Sequence, residues 1–432
     1  MKKNKFIKST LILLIGGFIT KILGMLIKIV MTRMVGTEGI GLYMLVNPTF
    51  VLLIAICTLG MPTAISKLVS EDKRNNKKLI FSAIPITILI DILVMILIFI
   101  FAKFISCNLL HEPRAYFPIL SIGFVLPFIS ISCILRGYFF GKQRMFPHVL
   151  SNIMEDVTRL ISIIFFTPLF LIKGLEFAVS FLVLSNIISE LTSILILFIF
   201  LPKNFKLTKN DLTPSLSNIK DIMEISLPST ASRLIGSIGM FFEPIILTFF
   251  LVKMGGSNDF ILSEYGILNG YVMPLILLPS FFTGAISQAL LPIVSNNWAN
   301  KRKKYVYNKI KQALFFSLLI GIPVTLIFIF YPEIPLKLIY NTNEGINYIK
   351  VLAPICLMHY IQSPLTSTLQ GMGEAKEAMK GTIVGMILRT ISLIVCCILN
   401  FKIWSLVIAS GINIFYVTIH HIIVVKNKLK SA

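Results

Sequence analysis

LPKNFKLTKNDLTPSLSNIKD, residues 201–221, is the longest polar interruption in an otherwise apolar chain. Six apolar stretches precede it, at about 9–33, 38–65, 79–102, 115–136, 146–171 and 176–200. Six more follow, at about 222–251, 263–292, 306–330, 346–369, 380–399 and 403–425. Stretches of about 20–30 residues cross the roughly 30 Å hydrocarbon layer as helices. The sequence therefore reads as an all-α polytopic membrane protein with about twelve transmembrane helices. Its expected organisation is an N-terminal six-helix lobe (1–200), a cytoplasmic linker (201–221) and a C-terminal six-helix lobe (222–432).

Basic residues fall in alternate gaps. The gaps before spans 1, 3, 5, 7, 9 and 11, with the C-terminal tail and the bordering span ends, hold 27 of the 40 Lys and Arg. The other six gaps hold 8. Short basic loops stay cytoplasmic, which predicts a multi-pass protein of the cell membrane with both termini in the cytoplasm. A hydrophobic fraction of 56%, only 14% charged residues and a mean hydropathy of +0.87 exclude an ordinary soluble domain. The net charge of +21 is spread over alternate loops, where it serves topology and anionic headgroups rather than nucleic acid. The apolar run after Lys8 continues to Met34, too long for a cleaved signal peptide, and reads as a retained span. Six cysteines without a CxxC and five scattered histidines predict neither a metal site nor a cofactor.

The halves echo each other. Leu135-Arg136-Gly137-x3-Gly141-Lys142-x2-Met145 recurs as Leu369-Gln370-Gly371-x3-Ala375-Lys376-x2-Met379, after spans 4 and 10. Lys21-Ile22-Leu23-Gly24 in span 1 answers Arg233-Leu234-Ile235-Gly236 in span 7, and Ala64-Ile65-Ser66 answers Ala285-Ile286-Ser287. Six spans per copy keep both copies in one orientation, a parallel repeat about the membrane normal.

Four cations lie deep: Lys21, Arg159 in span 5, Arg233 and Arg389 in span 11. Lys21 is roughly 18 Å along its span at 1.5 Å per residue. Facing lipid, the four would cost roughly 10–14 kcal/mol on insertion scales, so they must face a polar interior. Spans 1 and 7 correspond under the repeat, as do 5 and 11. Gly17, Lys21, Gly24 and Lys28 share one helical face, and Ser226, Thr230, Arg233 and Ser237 repeat the spacing. These residues predict a wet, cation-lined cleft between the halves, with Gly17, Gly24, Thr230 and Ser237 on its walls. Each assignment has a competing structural reading. Arg159 has Glu155 and Asp156 within one turn as ion-pair partners. Lys28 is near enough to the outer surface to snorkel, and the hydroxyls can simply bond their own helices. Arg33, Arg114 and Arg136 read as interfacial topology residues. Asp91 in span 3 and Glu190 in span 6 either pair with the cations or carry a coupling H+ or Na+.

Thr20-Lys21-Ile22-Leu23-Gly24, Lys28 and Arg33-Met34-Val35-Gly36-Thr37-Glu38-Gly39-Ile40-Gly41-Leu42-Tyr43 resemble the opening of the multidrug/oligosaccharidyl-lipid/polysaccharide (MOP) exporters. So does Leu59-Gly60-Met61-Pro62-Thr63-Ala64-Ile65-Ser66-Lys67-Leu68-Val69-Ser70-Glu71. LRGYFFGKQRM, Leu135 to Met145, is similar to the matching segment of the stage V sporulation protein B and polysaccharide biosynthesis flippase branch. The resemblance implies a MATE- or MurJ-like pair of six-helix lobes around a central cavity, working by alternating access on lipid-linked cell-wall precursors. It further implies that Lys21 occupies a position where cavity cations engage the lipid pyrophosphate, with lysine standing where arginine is expected, and that Lys28 occupies the position of a cation common in the sporulation branch. Lipid II flippases carry fourteen spans, against twelve read here.

The expected cargo is thus a polyprenyl-diphosphate-linked oligosaccharide or peptidoglycan precursor, and the branch implies spore cortex synthesis. Lys21, Lys28, Arg159, Arg233 and Arg389 are the expected substrate-binding residues, with membrane lipids as the other partner. The rivals are a cation-coupled drug antiporter of the same fold, an integral-membrane glycosyltransferase and a structural scaffold. His111 with Glu112 is too slight a constellation for catalysis, so no enzyme activity is expected.

Overall fold

In the computed structural model, the described residues are 2–71, 75–202 and 213–431, and every regular element among them is helical. Helix α1 spans Lys2–Cys57 and α2 Met61–Ser70. They are followed by α3 (Asn76–Phe104), α4 (Tyr116–Gly141), α5 (Met145–Leu171) and α6 (Leu175–Ile199). Helix α7 is Leu216–Lys253, then α8 (Asn258–Gly266), α9 (Met273–Ile276) and α10 (Ser280–Ala299). The chain ends with α11 (Lys303–Phe330), α12 (Glu333–Tyr340), α13 (Ile346–Gly371), α14 (Ala375–Ile398) and α15 (Trp404–Ser431).

These helices supply the twelve spans. Among the described residues, eight segments are long and apolar enough to cross a membrane, one being the double-length 15–70, and a bent pair over 258–299 makes another. The rest are α5, which carries Glu155, Asp156 and Arg159, and α13, interrupted by Pro354 and Pro364. The first two spans are two helices that meet at a kink at Gly36 (φ 70°, ψ −172°). That conformation is open only to a residue without Cβ.

Two spans that hydropathy reads as continuous are broken. In the second, Leu59 and Gly60 adopt left-handed angles (φ 44° and 61°) between α1 and α2. The eighth passes from α8 through a π-helical turn, Ile267–Val272, into α9 and breaks before α10. Pro62 and Pro279 lack the N–H that would carry each helix through. A third unforeseen element, α12, buries Leu336 and Tyr340 and exposes Ile334 and Leu338.

The chain packs as two compact units, Met1–Pro244 and Ile245–Ala432. Within 201–221, residues 203–212 lie outside the described set, and the lobe boundary there is carried forward as a proposal. In the first unit, α2, α3, α4 and α6 enclose a core of Ile65, Leu79, Phe139 and Leu197. In the second, α10, α11, α13 and α15 enclose Val294, Ile310, Leu369 and Val425. The repeat motif has the same mechanical role in both. A Cβ on Gly137 would stand 3.0 Å from the Pro62 carbonyl oxygen and 3.1 Å from Ile65 Cβ, and one on Gly371 would stand 2.9 Å from Val294 Cβ. Each glycine lets the last turn of α4 or α13 lie directly on α2 or α10 respectively. Gly137→Val and Gly371→Val should each cost about 1–3 kcal/mol by overpacking. The loss should register as a lower thermal midpoint in detergent, with Gly17→Ala unchanged.

Candidate functional site

The first span presents three distinct faces. One is packed: a Cβ on Gly16 would come within 2.1 Å of Val149 Cγ1 on α5. A second, made of Ile15, Phe18, Ile19, Ile22 and Leu26, is apolar and exposed, as a lipid-facing surface should be. The third holds Gly17, Lys21, Gly24 and Lys28, centred roughly 145° from the apolar face at 100° per residue. Lys21 is exposed and Lys28 partly buried. A Cβ on Gly17 or Gly24 would meet nothing within 4 Å, so these glycines flank open space rather than a neighbouring helix.

The α7 stripe divides differently. Arg233 is exposed, whereas Thr230 and Ser237 are 4% and 7% exposed. Thr230 Oγ1 donates to the Ser226 carbonyl at 2.8 Å, and Ser237 Oγ to that of Arg233 at 3.2 Å. Their hydroxyls bond their own helix, the competing reading given for them above. In the second unit, Arg389 is partly buried on α14, and Ser392 Oγ donates to its carbonyl at 3.0 Å.

Arg136 departs from its expected interfacial role. Helix α4 continues five residues beyond it, and Gly137 and Gly141 draw that turn against α2. The guanidinium consequently points into the bundle. Its Nη2 donates to Glu155 on α5, to Glu190 at 3.0 Å and to Ser193 Oγ at 2.9 Å on α6. The side chains of Arg136, Glu155 and Glu190 are 18%, 19% and 7% exposed. Glu155 therefore pairs across helices rather than with Arg159, whose Nη2 donates to Tyr43 Oη on α1 at 3.2 Å. Glu190 does pair with a cation, but with one that hydropathy assigns to the surface. The available clue was the Gly-x3-Gly spacing after Arg136, which marks a turn pressed against another helix.

Arg136 also borders a cavity of about 660 Å³ whose polar lining includes Thr63, Ser66, Lys67 and His148. Asp91 is 0% exposed and accepts from Ser130 Oγ at 2.9 Å, apart from any cation among the described residues. Arg114 pairs with Glu112 at 2.9 Å and Glu38 at 3.5 Å, so Glu112 is committed to an ion pair beside His111. Among the described residues no group of three or more His, Cys, Asp or Glu is arranged to hold a metal ion.

Among the deep charges, Lys21 and Arg233 are exposed, Lys28, Arg159 and Arg389 are partly buried, and Asp91 and Glu190 are buried. Residues 6–298 match the family described as polysaccharide biosynthesis protein, and residues 233–395 match the MatE family. Stage V sporulation protein B of Bacillus subtilis (strain 168) is 37% identical over 90% of this chain and 77% of its own length. Lipid II flippase MurJ of the same organism is 22% identical over 90% of this chain and 76% of its length. An inward-facing multidrug resistance MATE family transporter of the MOP superfamily shares the fold, with TM-score 0.69, 16% identity and 95% of each chain covered. With a family match over most of the chain and relatives aligned along nearly its whole length, this multi-pass membrane protein belongs to the polysaccharide biosynthesis protein family.

Proposed function

We propose that the chain is a flippase, not an enzyme. Its cargo is a polyprenyl-diphosphate-linked oligosaccharide or peptidoglycan precursor, moved across the cytoplasmic membrane by alternating access. The observation that carries this reading is the contrast between deep charges. Lys21 and Arg233 are exposed at mid-span, whereas Asp91 and Glu190 are 0% and 5% exposed. Ammonium and guanidinium groups open to water at that depth attract an anionic headgroup, and the space beside Gly17 and Gly24 accommodates its bulk.

In this reading the lobes 1–200 and 222–432, joined by 201–221, rock about the cargo, and both termini stay cytoplasmic. Lys21 and Arg233 neutralise the diphosphate, with Lys28, Arg159 and Arg389 as further cations along its path. The polyprenyl tail stays in lipid. Similarity to a stage V sporulation protein and to a lipid II flippase supports a cell-wall cargo, and a spore-wall one in particular. Asp91 supplies coupling to H+ or Na+, Glu190 being held by Arg136. A drug antiporter of the same fold would need acids presented to its cationic cargo, and here the acids are the enclosed groups.

Proteoliposomes carrying a fluorescent polyprenyl-diphosphate sugar test the reading. The expected result is protein-dependent movement of label into a compartment protected from an external quencher. Extrusion of cationic dyes with no movement of the glycolipid would overturn it in favour of the antiporter.

A further inference from the structure

Helix α2 has two sides of opposite character. Met61, Ala64, Ile65, Leu68 and Val69 are buried in the core of the first unit. Thr63, Ser66, Lys67 and Ser70 share the other side, centred about 180° away at 100° per residue. This polar side lines the cavity of about 660 Å³ that Arg136 borders, together with Phe140 of α4 and His148 of α5. All of these residues belong to one compact unit. The volume lies within the roughly 300–1,000 Å³ usual for small-molecule sites.

The lining offers many hydrogen bonds and little net charge. Arg136 is balanced by Glu155 and Glu190, which leaves Lys67, an exposed residue, as the cation turned to the cavity. Thr63 and Ser70 are exposed as well, and Ser66 is partly buried. Each hydroxyl both donates and accepts. Ser70 Oγ donates to the Lys67 carbonyl at 2.7 Å and keeps its lone pairs for an incoming donor. Two further polar atoms of the lining residues, Arg136 Nε and His148 Nδ1, are buried with no hydrogen-bond partner among the described residues. Buried polar groups are ordinarily paired, so both call for a ligand atom. Phe140 is 40% exposed and meets His148 edge to face, with ring centroids 5.0 Å apart.

These groups fit a sugar better than a phosphate. A phosphate concentrates its charge and is held by several cations or by a guanidinium fork, and the fork here is already occupied by carboxylates. A pyranose spreads donors and acceptors around its rim and presents a C–H face that packs on an aromatic ring. Three hydroxyls and one ammonium answer the rim, and Phe140 answers the face. Lys67 and Ser70 lie in the last turn of α2, Phe140 in that of α4 and His148 in the first turn of α5. Lys77, Lys78, Lys142 and Arg144 follow at the same end, the cytoplasmic one in the proposed topology.

We propose that this cavity is a carbohydrate subsite, in which Thr63, Ser66, Lys67 and Ser70 bond sugar hydroxyls while Phe140 packs on the ring. Recognition then has two parts. Lys21 engages the diphosphate whatever it carries, and the cavity beside α2 selects lipids that bear a glycan before they are moved. Its place in transport rests on the flippase reading; the binding of a sugar does not.

The test uses the full chain in nanodiscs and two fluorescent probes, a polyprenyl diphosphate and the same lipid carrying one N-acetylhexosamine. The wild type should bind the glycosylated probe more tightly. Thr63→Val, Ser66→Ala and Lys67→Met should each lower that preference roughly 2- to 12-fold, the range of one hydrogen bond. The triple variant should bind both probes alike, whereas Lys21→Ala should weaken both by the same factor and keep the preference. Thr63→Cys, in a background lacking the native cysteines, should be protected from maleimide by the glycosylated probe and not by the bare one. Equal wild-type affinity for the two probes overturns the proposal, as does a preference that survives in the triple variant. Equal weakening of both probes by Lys67→Met also overturns it and makes the cavity a phosphate site. Protection of Thr63→Cys by anionic phospholipid alone overturns it in favour of an ordinary headgroup contact. If the preference and its loss are observed but no label crosses the membrane in proteoliposomes, the flippase reading fails and the sugar site stands.

Discussion

Replacing Arg136 with glutamine, the residue that the second repeat carries as Gln370, is expected to destabilise the first unit by roughly 3–5 kcal/mol. The loss exceeds that of one hydrogen bond because the buried Glu190 and the partly buried Glu155 would then face each other with no cation between them. Arg136 joins α4 to Glu155 on α5 and to Glu190 and Ser193 on α6, so all three helices share the consequence. Lysine should rescue only in part, since an ammonium cannot reproduce the planar fork. The decisive control is the neutral triple variant Arg136→Gln, Glu155→Gln, Glu190→Gln, which should recover most of the thermal stability lost by the single change. If the single variant melts with the wild type, the cluster is solvated and contributes little. If the triple variant is as unstable as the single, packing rather than charge accounts for the loss.

Lys21→Ala should lower glycolipid translocation by roughly 10- to 150-fold, the equivalent of one charge-assisted hydrogen bond worth about 1.5–3 kcal/mol. Arg233→Ala should fall in the same range. Lys21→Arg should retain or exceed wild-type rates, because the guanidinium fork suits phosphate better than a point charge. Neither position is enclosed, so folding yield and thermal midpoint should barely change, which separates a cargo contact from a structural one. Gly24→Trp should reduce transport by filling the open space beside Lys21, again without a stability loss. Wild-type transport by Lys21→Ala would remove this lysine from the cargo path.

The spans were legible because their signals are long. A hydropathy window reads twenty apolar residues reliably, and basic loops mark alternate ends whatever the packing. The gap between the first two spans falls at Gly36, whose backbone angles no other residue would tolerate. The breaks at Thr58–Gly60 and before Ser280 were hidden for the same reason: a few residues of altered backbone, left-handed at Leu59 and Gly60, hardly alter a windowed average. Arg136 was misread because its position relative to the helix end decides nothing about where its side chain points. That direction follows from Gly137 and Gly141 pressing α4 onto α2, a relation between segments about seventy residues apart in sequence. Glu155 had a choice of two arginines, and the neighbouring helix, not its own turn, supplied the nearer one. That Gly17, Lys21, Gly24 and Lys28 share one helical face follows from spacings of three and four without reference to any partner.

The central claim is that this face looks onto water and receives an anionic headgroup. Gly24→Cys in a background lacking the native cysteines tests it most directly, because the added side chain meets nothing within 4 Å. The account predicts rapid labelling by a membrane-impermeant maleimide and protection by polyprenyl diphosphate but not by a neutral polyprenol. Labelling only by membrane-permeant reagents, or labelling that no diphosphate slows, would contradict it.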